Sequence, residues 1–191
     1  MFALFSATVT TQVESDIRSF LPDIQRLGQS AEDYNPIRQH IGISFSLTEH
    51  EDDARIHEIV QFIEKKKIDF SLSCMIVFCR THRQCEETAD ALSELALKSA
   101  PDSVLNKCID KIGFYHAGLD AGLRNDVYEQ FKRKEGVNPL YILCATKAFG
   151  MGMDIPNVHY IVHYSPPSVL EDYLQEVGRA GRGEKQYKLA F

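Results

Sequence analysis

The chain has 191 residues, of which 44% are hydrophobic and 25% charged, and its formal net charge is −6. This length fits one compact domain with a full core, and the composition argues against a disordered segment. No apolar run reaches the about 20 residues of a membrane-spanning helix, and residues 1–5 lack the basic start of a secretion signal. We therefore expect an intracellular protein without membrane contact, cytoplasmic in a bacterium or nuclear in a eukaryote.

The negative charge lies mainly in the first 73 residues, which hold 7 Lys and Arg against 12 Asp and Glu. Residues 139–191 hold 5 of each kind. A nucleic-acid partner requires local positive potential rather than a basic total, so the sum does not exclude one. The five cysteines form no Cys-x-x-Cys pair, which predicts buried free thiols and no metal site.

Short apolar, β-branched and aromatic runs alternate along the chain with amphipathic stretches of helical length. This alternation predicts an α/β fold, with a parallel sheet sandwiched between helices in a single domain. Hydroxyl residues with Glu or Gln three positions later predict four helix starts, at Thr11, Thr48, Thr81 and Ser168. The predicted strands are 40–45, 74–79, 111–115, 140–145, 159–163 and 187–191.

Polar residues that directly follow these strands are the first candidates for a binding site. Ligands of parallel sheets gather beyond the carboxyl ends of the strands. The candidates selected in this way are Arg80, Thr81, His82, His116, Thr146, Lys147, Tyr164 and Ser165. Each histidine here is more typical of a structural residue than of a catalytic base, so none is assigned acid–base chemistry.

Glycines and an acid follow the strand predicted at 140–145. Gly150, Gly152 and Asp154 can turn backbone amides and a carboxylate toward a phosphate or a ribose. A tight turn capped by Asp154 is the alternative, and the preceding Thr146 and Lys147 favour the phosphate interpretation.

Two arginines lie three positions apart near the end of the chain. Arg179 and Arg182, each preceded by a glycine, can be presented together to a highly charged anion such as a triphosphate. The alternative is a solvated helix end paired with nearby acids. Those acids are Glu171, Asp172, Glu176 and Glu184. No Gly-x-x-x-x-Gly-Lys-Ser/Thr loop occurs in the sequence, so these residues alone would not complete a nucleotide site.

Five blocks, in order, resemble the second RecA-like domain of superfamily 2 helicases, most closely the RecQ family of ATP-dependent DNA helicases. They are residues 6–8 (motif III), 76–81 (motif IV), 115–119 with Arg124 behind them, 145–158 (motif V) and 175–182 (motif VI). The resemblance implies that residues 1–36 are the tail of the first helicase domain and a connector. Residues 37–191 would then be the second RecA-like domain.

The resemblance also implies roles. Arg182 would be the arginine finger on the γ-phosphate, Arg179 its companion, and Gln175 the residue that positions them. Gly150, Gly152 and Asp154 would contact the nucleotide. ATP and Mg²⁺ would be the cofactors, and both would need the first RecA-like domain as partner. The parent protein would move 3′ to 5′, and the chain alone would be inactive and monomeric.

The second partner implied is single-stranded or duplex DNA. The residues implied to line the path of one strand are Arg80, Thr81, His82, His116, Arg124, Thr146 and Lys147. His82 replaces the arginine usual in RecQ proteins, and Gly183 replaces an aspartate, which marks a divergent member. Two alternatives stay open, namely an RNA helicase of another superfamily 2 branch and a non-catalytic scaffold derived from a helicase.

Overall fold

A computed structural model describes residues 11–20, 41–43, 52–132, 138–149, 155, 157–181 and 187–188. The helices are α1 (Thr11–Phe20), α2 (Asp52–Lys66), α3 (His82–Lys98), α4 (Ala121–Lys132) and α5 (Leu170–Val177), with a 3-10 helix at Asn106–Cys108. The strands are β1 (Ile41–Gly42), β2 (Cys74–Phe78), β3 (Ile112–Tyr115), β4 (Ile142–Ala145), β5 (Val158–His163) and β6 (Tyr187–Lys188). No helix in these ranges is both long and apolar enough to cross a membrane.

The main sheet has four parallel strands in the order β3-β4-β2-β5. Every residue of β2 and β4 is buried, as expected of central strands with both faces covered. β1 and β6 form a separate parallel pair. The predicted α/β fold with a parallel sheet is confirmed.

Alternate residues of the central strands supply two cores. Met75 and Val77 of β2 pack with apolar residues of α2 and α3. Ile76 and Phe78 of the same strand pack in a second cluster that includes Phe131 of α4 and Val177 of α5. Successive side chains of a strand point to opposite faces, so one strand anchors both helical layers. This arrangement is the predicted sandwich.

The predicted helix starts have different outcomes. Thr81 caps α3, where its hydroxyl accepts a hydrogen bond from the Gln84 backbone N–H at 3.1 Å. The prediction for Ser168 is wrong, because α5 begins at Leu170 after an N-cap position without a side-chain hydrogen bond. α1 begins at Thr11 itself, and Thr48 lies outside the described residues.

All five cysteines are free and buried, as predicted. Cys85 lies 2.9 Å from the backbone oxygen of Cys144. A hydrogen bond with Cys79 and burial raise the pKa of Cys85, and burial raises that of Cys144. The Cys85 and Cys144 thiols are therefore neutral at physiological pH and act as core residues rather than nucleophiles.

The two leucines of α3 provide a matched test of the core. Leu92 is fully buried whereas Leu97 is 66% exposed. We expect Leu92→Ala to lower the free energy of unfolding by about 2–5 kcal/mol through lost burial and a residual cavity. Leu97→Ala, the same change in the same helix, should alter it by less than about 0.5 kcal/mol. Urea denaturation measures both, and equal losses would contradict the assigned core.

The cap at Thr81 can be tested separately. Thr81→Ala removes the acceptor for the Gln84 N–H and should lower the free energy of unfolding by about 1 kcal/mol. Thr81→Ser retains the hydroxyl and should stay near the parent value. If the alanine and serine variants unfold at the same denaturant concentration, the hydrogen bond contributes nothing.

Candidate functional site

The carboxyl ends of the four strands lie side by side, because backbone pairing continues one residue past the ends of β2, β4 and β5. The Cys79 N–H donates to the Ala145 carbonyl at 2.8 Å, and the Thr146 N–H donates to the Tyr115 carbonyl at 3.1 Å. The Tyr164 N–H donates to the Phe78 carbonyl at 2.9 Å. The residues predicted from strand ends therefore do meet at one edge, which we call the carboxyl edge.

Arg80 and its neighbours form the exposed part of this edge. The Arg80 guanidinium donates to the Ser168 hydroxyl at 3.2 Å, so the end of β2 contacts the loop before α5. The Arg80 backbone N–H donates to the Gln84 side chain at 3.0 Å. Arg80, Thr81 and His82 are all exposed, and their donors can reach a ligand in solvent.

His82 and His116 stack on each other, with ring centroids 4.4 Å apart and planes inclined by 15°. The His116 side chain is only 5% exposed, and its Nε2 lies 2.8 Å from Glu86 Oε1. A Cβ on Gly118 would lie 2.9 Å from His82 Nδ1 and 3.1 Å from His116 Nδ1. The stack therefore needs a glycine there, and His116 supports His82 rather than presenting its own ring.

Thr146 and Lys147 differ in exposure. Thr146 is buried, and its carbonyl accepts the Phe149 N–H at 2.9 Å. Lys147 has a side chain that is 75% exposed, with Nζ 3.6 Å from Asp172 Oδ2. Lys147 therefore offers an accessible cation, whereas the Thr146 side chain is buried.

Arg124 lies in the first turn of α4, near but not at the strand ends. α4 begins at Ala121, and the Asp120 side chain before it accepts the Leu123 N–H at 2.9 Å and caps the helix. The Arg124 Nε atom is buried and has no hydrogen-bond partner among the described residues.

The segment after α5 carries Arg179 in a compact turn. The N–H groups of Gly178 and Arg179 donate back into the helix, and the Gly181 N–H donates to the Val158 carbonyl of β5 at 3.1 Å. Gly181 has φ 67°, a left-handed conformation that favours glycine. Arg179 is only 8% exposed, so the alternative interpretation, a solvated helix end, does not apply to this residue.

Two of the acids that the alternative interpretation offered as arginine partners contact other side chains. Asp172 pairs with Lys147, and Glu176 pairs with His163, with 2.9 Å between Glu176 Oε2 and His163 Nε2. Gln175, one residue earlier, is exposed. The other predicted nucleotide residues lie outside the described ranges: Gly150, Gly152, Asp154 and Arg182.

Sequence reasoning missed the pair of His163 and Glu176. Their side chains are only 7% and 8% exposed, and the His163 ring stacks on Phe78 with centroids 5.7 Å apart. The available signal was a histidine at the end of a predicted strand facing an acid on the next helix. Only the packing of α5 against β5 shows that the two meet.

Tyr164 fixes the same end of β5 to α2. Its hydroxyl donates to Asp52 Oδ1 at 2.9 Å, and the Arg55 guanidinium lies 5.4 Å from the centre of its ring. Burial raises the pKa of Tyr164, and the hydrogen bond to Asp52 raises it further. The phenol is therefore a neutral anchor rather than a proton donor to a substrate.

Comparison with known proteins agrees with this architecture. The helicase conserved C-terminal domain family matches residues 54–184. The chain is 35% identical over 127 residues to the ATP-dependent DNA helicase Q-like 4B of Arabidopsis thaliana. The matched segment covers 66% of this chain and 9% of that protein. It is 36% identical over 124 residues to the RecQ-like DNA helicase blm-1 of Caenorhabditis elegans. That matched segment covers 65% of this chain and 11% of that protein.

A solved structure of Saccharomyces cerevisiae Dbp5 bound to RNA and ADP BeF3 superimposes with a TM-score of 0.67 at 17% identity, over 97% of this chain and 43% of that one. This likeness shows the RecA-like fold. The chain spans only about a tenth of the two curated relatives. The resemblance to the RecQ family is confirmed, and the chain belongs to the family of helicase conserved C-terminal domains as a RecA-like domain of a superfamily 2 helicase.

Proposed function

We propose that this chain is the C-terminal motor domain of an ATP-dependent 3′-to-5′ DNA helicase of the RecQ type. The observation that carries the proposal is at the carboxyl edge, where the exposed cations Arg80 and Lys147 follow neighbouring strands and contact α5 or the loop before it. α5 leads directly into the buried Arg179. A motor needs nucleotide and strand contacts on one rigid element, because strand movement has to follow the state of the nucleotide. The RecQ-like sequence supports DNA as the strand.

On the nucleotide side, this domain supplies cations to an ATP molecule that a first RecA-like domain also holds. Arg182 is the arginine finger, Arg179 its companion, and Gln175 positions both. Gly150, Gly152 and Asp154 complete the contacts. A guanidinium at the γ-phosphate stabilises the negative charge that grows during phosphoryl transfer.

The site residues assigned in this proposal are mainly suited to nucleotide phosphates rather than to Mg²⁺. The described ranges contain no cluster of three His, Cys, Asp or Glu side chains able to hold a metal ion. Mg²⁺ prefers carboxylate and phosphate oxygens. We assign the protein ligands of Mg²⁺ to the first domain, together with the phosphate loop, whose Gly-x-x-x-x-Gly-Lys-Ser/Thr motif does not occur in this sequence.

On the strand side, Arg80, Thr81, His82 and Lys147 contact phosphates from the exposed part of the carboxyl edge, and Arg124 extends this surface. The buried residues His116 and Thr146 hold the edge in place. Phosphate contacts of this kind position a strand without reading its sequence.

The chain also divides along its length in this proposal. Residues 1–36, including α1, are the tail of the first domain and a connector, and residues 37–191 are the second RecA-like domain. Since the first domain supplies the phosphate loop, the chain alone hydrolyses no ATP. The proposal also takes the chain alone to be a monomer.

An RNA helicase is the second candidate, favoured by the fold shared with Dbp5, whose structure contains RNA. ATP hydrolysis by the two-domain protein, in which this chain is joined to its phosphate-loop domain, distinguishes the two. We expect stimulation by single-stranded DNA. Stimulation of ATP hydrolysis by RNA but not by DNA would establish the second candidate.

The finger assignment predicts the effect of Arg182→Ala on catalysis. In the two-domain protein, the variant should lower the kcat of DNA-stimulated ATP hydrolysis by about 10³-fold, because the transition state loses its charge partner. Lys98→Ala is the matched control, since it removes an exposed cation at the far end of α3 and should leave kcat unchanged. An Arg182→Ala enzyme with parental kcat would contradict the assignment.

The strand assignment predicts a change in salt dependence. Arg80→Ala should weaken binding of single-stranded DNA equally for different sequences, since the contact is to phosphate. The slope of log K against log salt concentration should fall in magnitude by about 0.7, the value for one phosphate contact on a single strand. Fluorescence anisotropy measures this slope, and Lys98→Ala again serves as the control. An unchanged slope would remove Arg80 from the strand path.

A further inference from the structure

β5 holds the arginine segment at two points. At the start of the strand, the Val158 carbonyl accepts the Gly181 N–H at 3.1 Å. At its end, His163 Nε2 lies 2.9 Å from Glu176 Oε2. Arg179 lies between these attachments, and its own N–H donates to the Glu176 carbonyl at 3.1 Å. The position of Arg179 therefore depends on where β5 fixes Glu176.

The His163 ring is itself held in place. It stacks on Phe78 at the end of β2, with ring centroids 5.7 Å apart, and it contacts Tyr173 of α5 with centroids 5.3 Å apart. Both members of the pair are more than nine-tenths buried. The 2.9 Å separation between Nε2 and Oε2 is that of a hydrogen bond. A hydrogen bond is directional, so this contact restricts rotation of α5 about its axis.

We propose that His163 and Glu176 are a positioning pair that sets the location of Arg179 relative to the bound nucleotide. The inference rests on the proposed function. Neither residue touches a phosphate in this account, so neither is catalytic. Apolar residues could fill the same space, but they would tolerate sliding of α5 over β5. A misplacement of about 1 Å can cost about 10²-fold in rate.

Three variants of the two-domain protein test the pair. His163→Phe keeps a ring against Phe78 and removes the hydrogen bond, and we expect its kcat to fall at least about 10-fold while KM for ATP stays within about 3-fold. His163→Gln retains an N–H donor and should stay within about 5-fold of the parental kcat. The double variant His163→Phe with Glu176→Leu removes the buried carboxylate as well. It should recover the parental melting temperature without recovering kcat.

The double variant separates positioning from stability. If it recovers both the melting temperature and kcat, the pair only fills the core and the proposal is overturned. Equal losses of kcat in His163→Gln and His163→Phe would also overturn it, since the hydrogen bond would then be irrelevant.

Arg182→Ala, measured in parallel, tests the proposed function separately. If Arg182→Ala retains the parental kcat, the finger assignment in the proposed function fails. If Arg182→Ala loses activity while His163→Phe retains it, only the positioning pair fails.

Discussion

Parallel pairing of β2 with both β4 and β5 is the constraint on which the functional surface depends. Parallel strands end at the same edge of a sheet, so residues far apart in the chain are brought together without long connecting loops. Burial of both faces of β2 and β4 keeps this edge rigid, since neither strand can move without disturbing two helical layers. The edge can therefore hold two sets of contacts in fixed relation.

Charge at the carboxyl edge explains how an acidic chain can serve a polyanionic ligand. Arg80 donates to a neutral hydroxyl, and Lys147 pairs loosely with Asp172 at 3.6 Å. Exposed interactions of this kind stabilise the fold little, so both cations can exchange their partners for phosphates at small cost. Arg179 is buried instead, and a buried guanidinium is held in one orientation. The two classes of cation suit a sliding strand and a fixed nucleotide respectively.

The sequence predicted most of the sheet and the edge because both depend on local signals. The unbroken apolar run of β2 identified a central strand, and Thr81 identified the start of α3. Ser168 is not the N-cap of α5, which is Val169, and its hydroxyl accepts from Arg80, 88 residues away in sequence. Glu176 was a candidate arginine partner in the alternative of a solvated helix end, because neighbours along the chain are visible in sequence. The contact with His163 depends on the packing of α5 on β5 and is not visible there. Long-range side-chain pairs leave no periodic pattern, which is why the positioning pair was not predicted.

The central claim is that this chain forms one half of an ATP site whose other half belongs to a phosphate-loop domain. The most direct measurement is the rate of ATP hydrolysis, with and without single-stranded DNA, by this chain alone and by the chain joined to that domain. The account predicts no hydrolysis by the chain alone and DNA-stimulated hydrolysis by the joined protein. Equal rates in the two proteins, or no hydrolysis in the joined one, would contradict it.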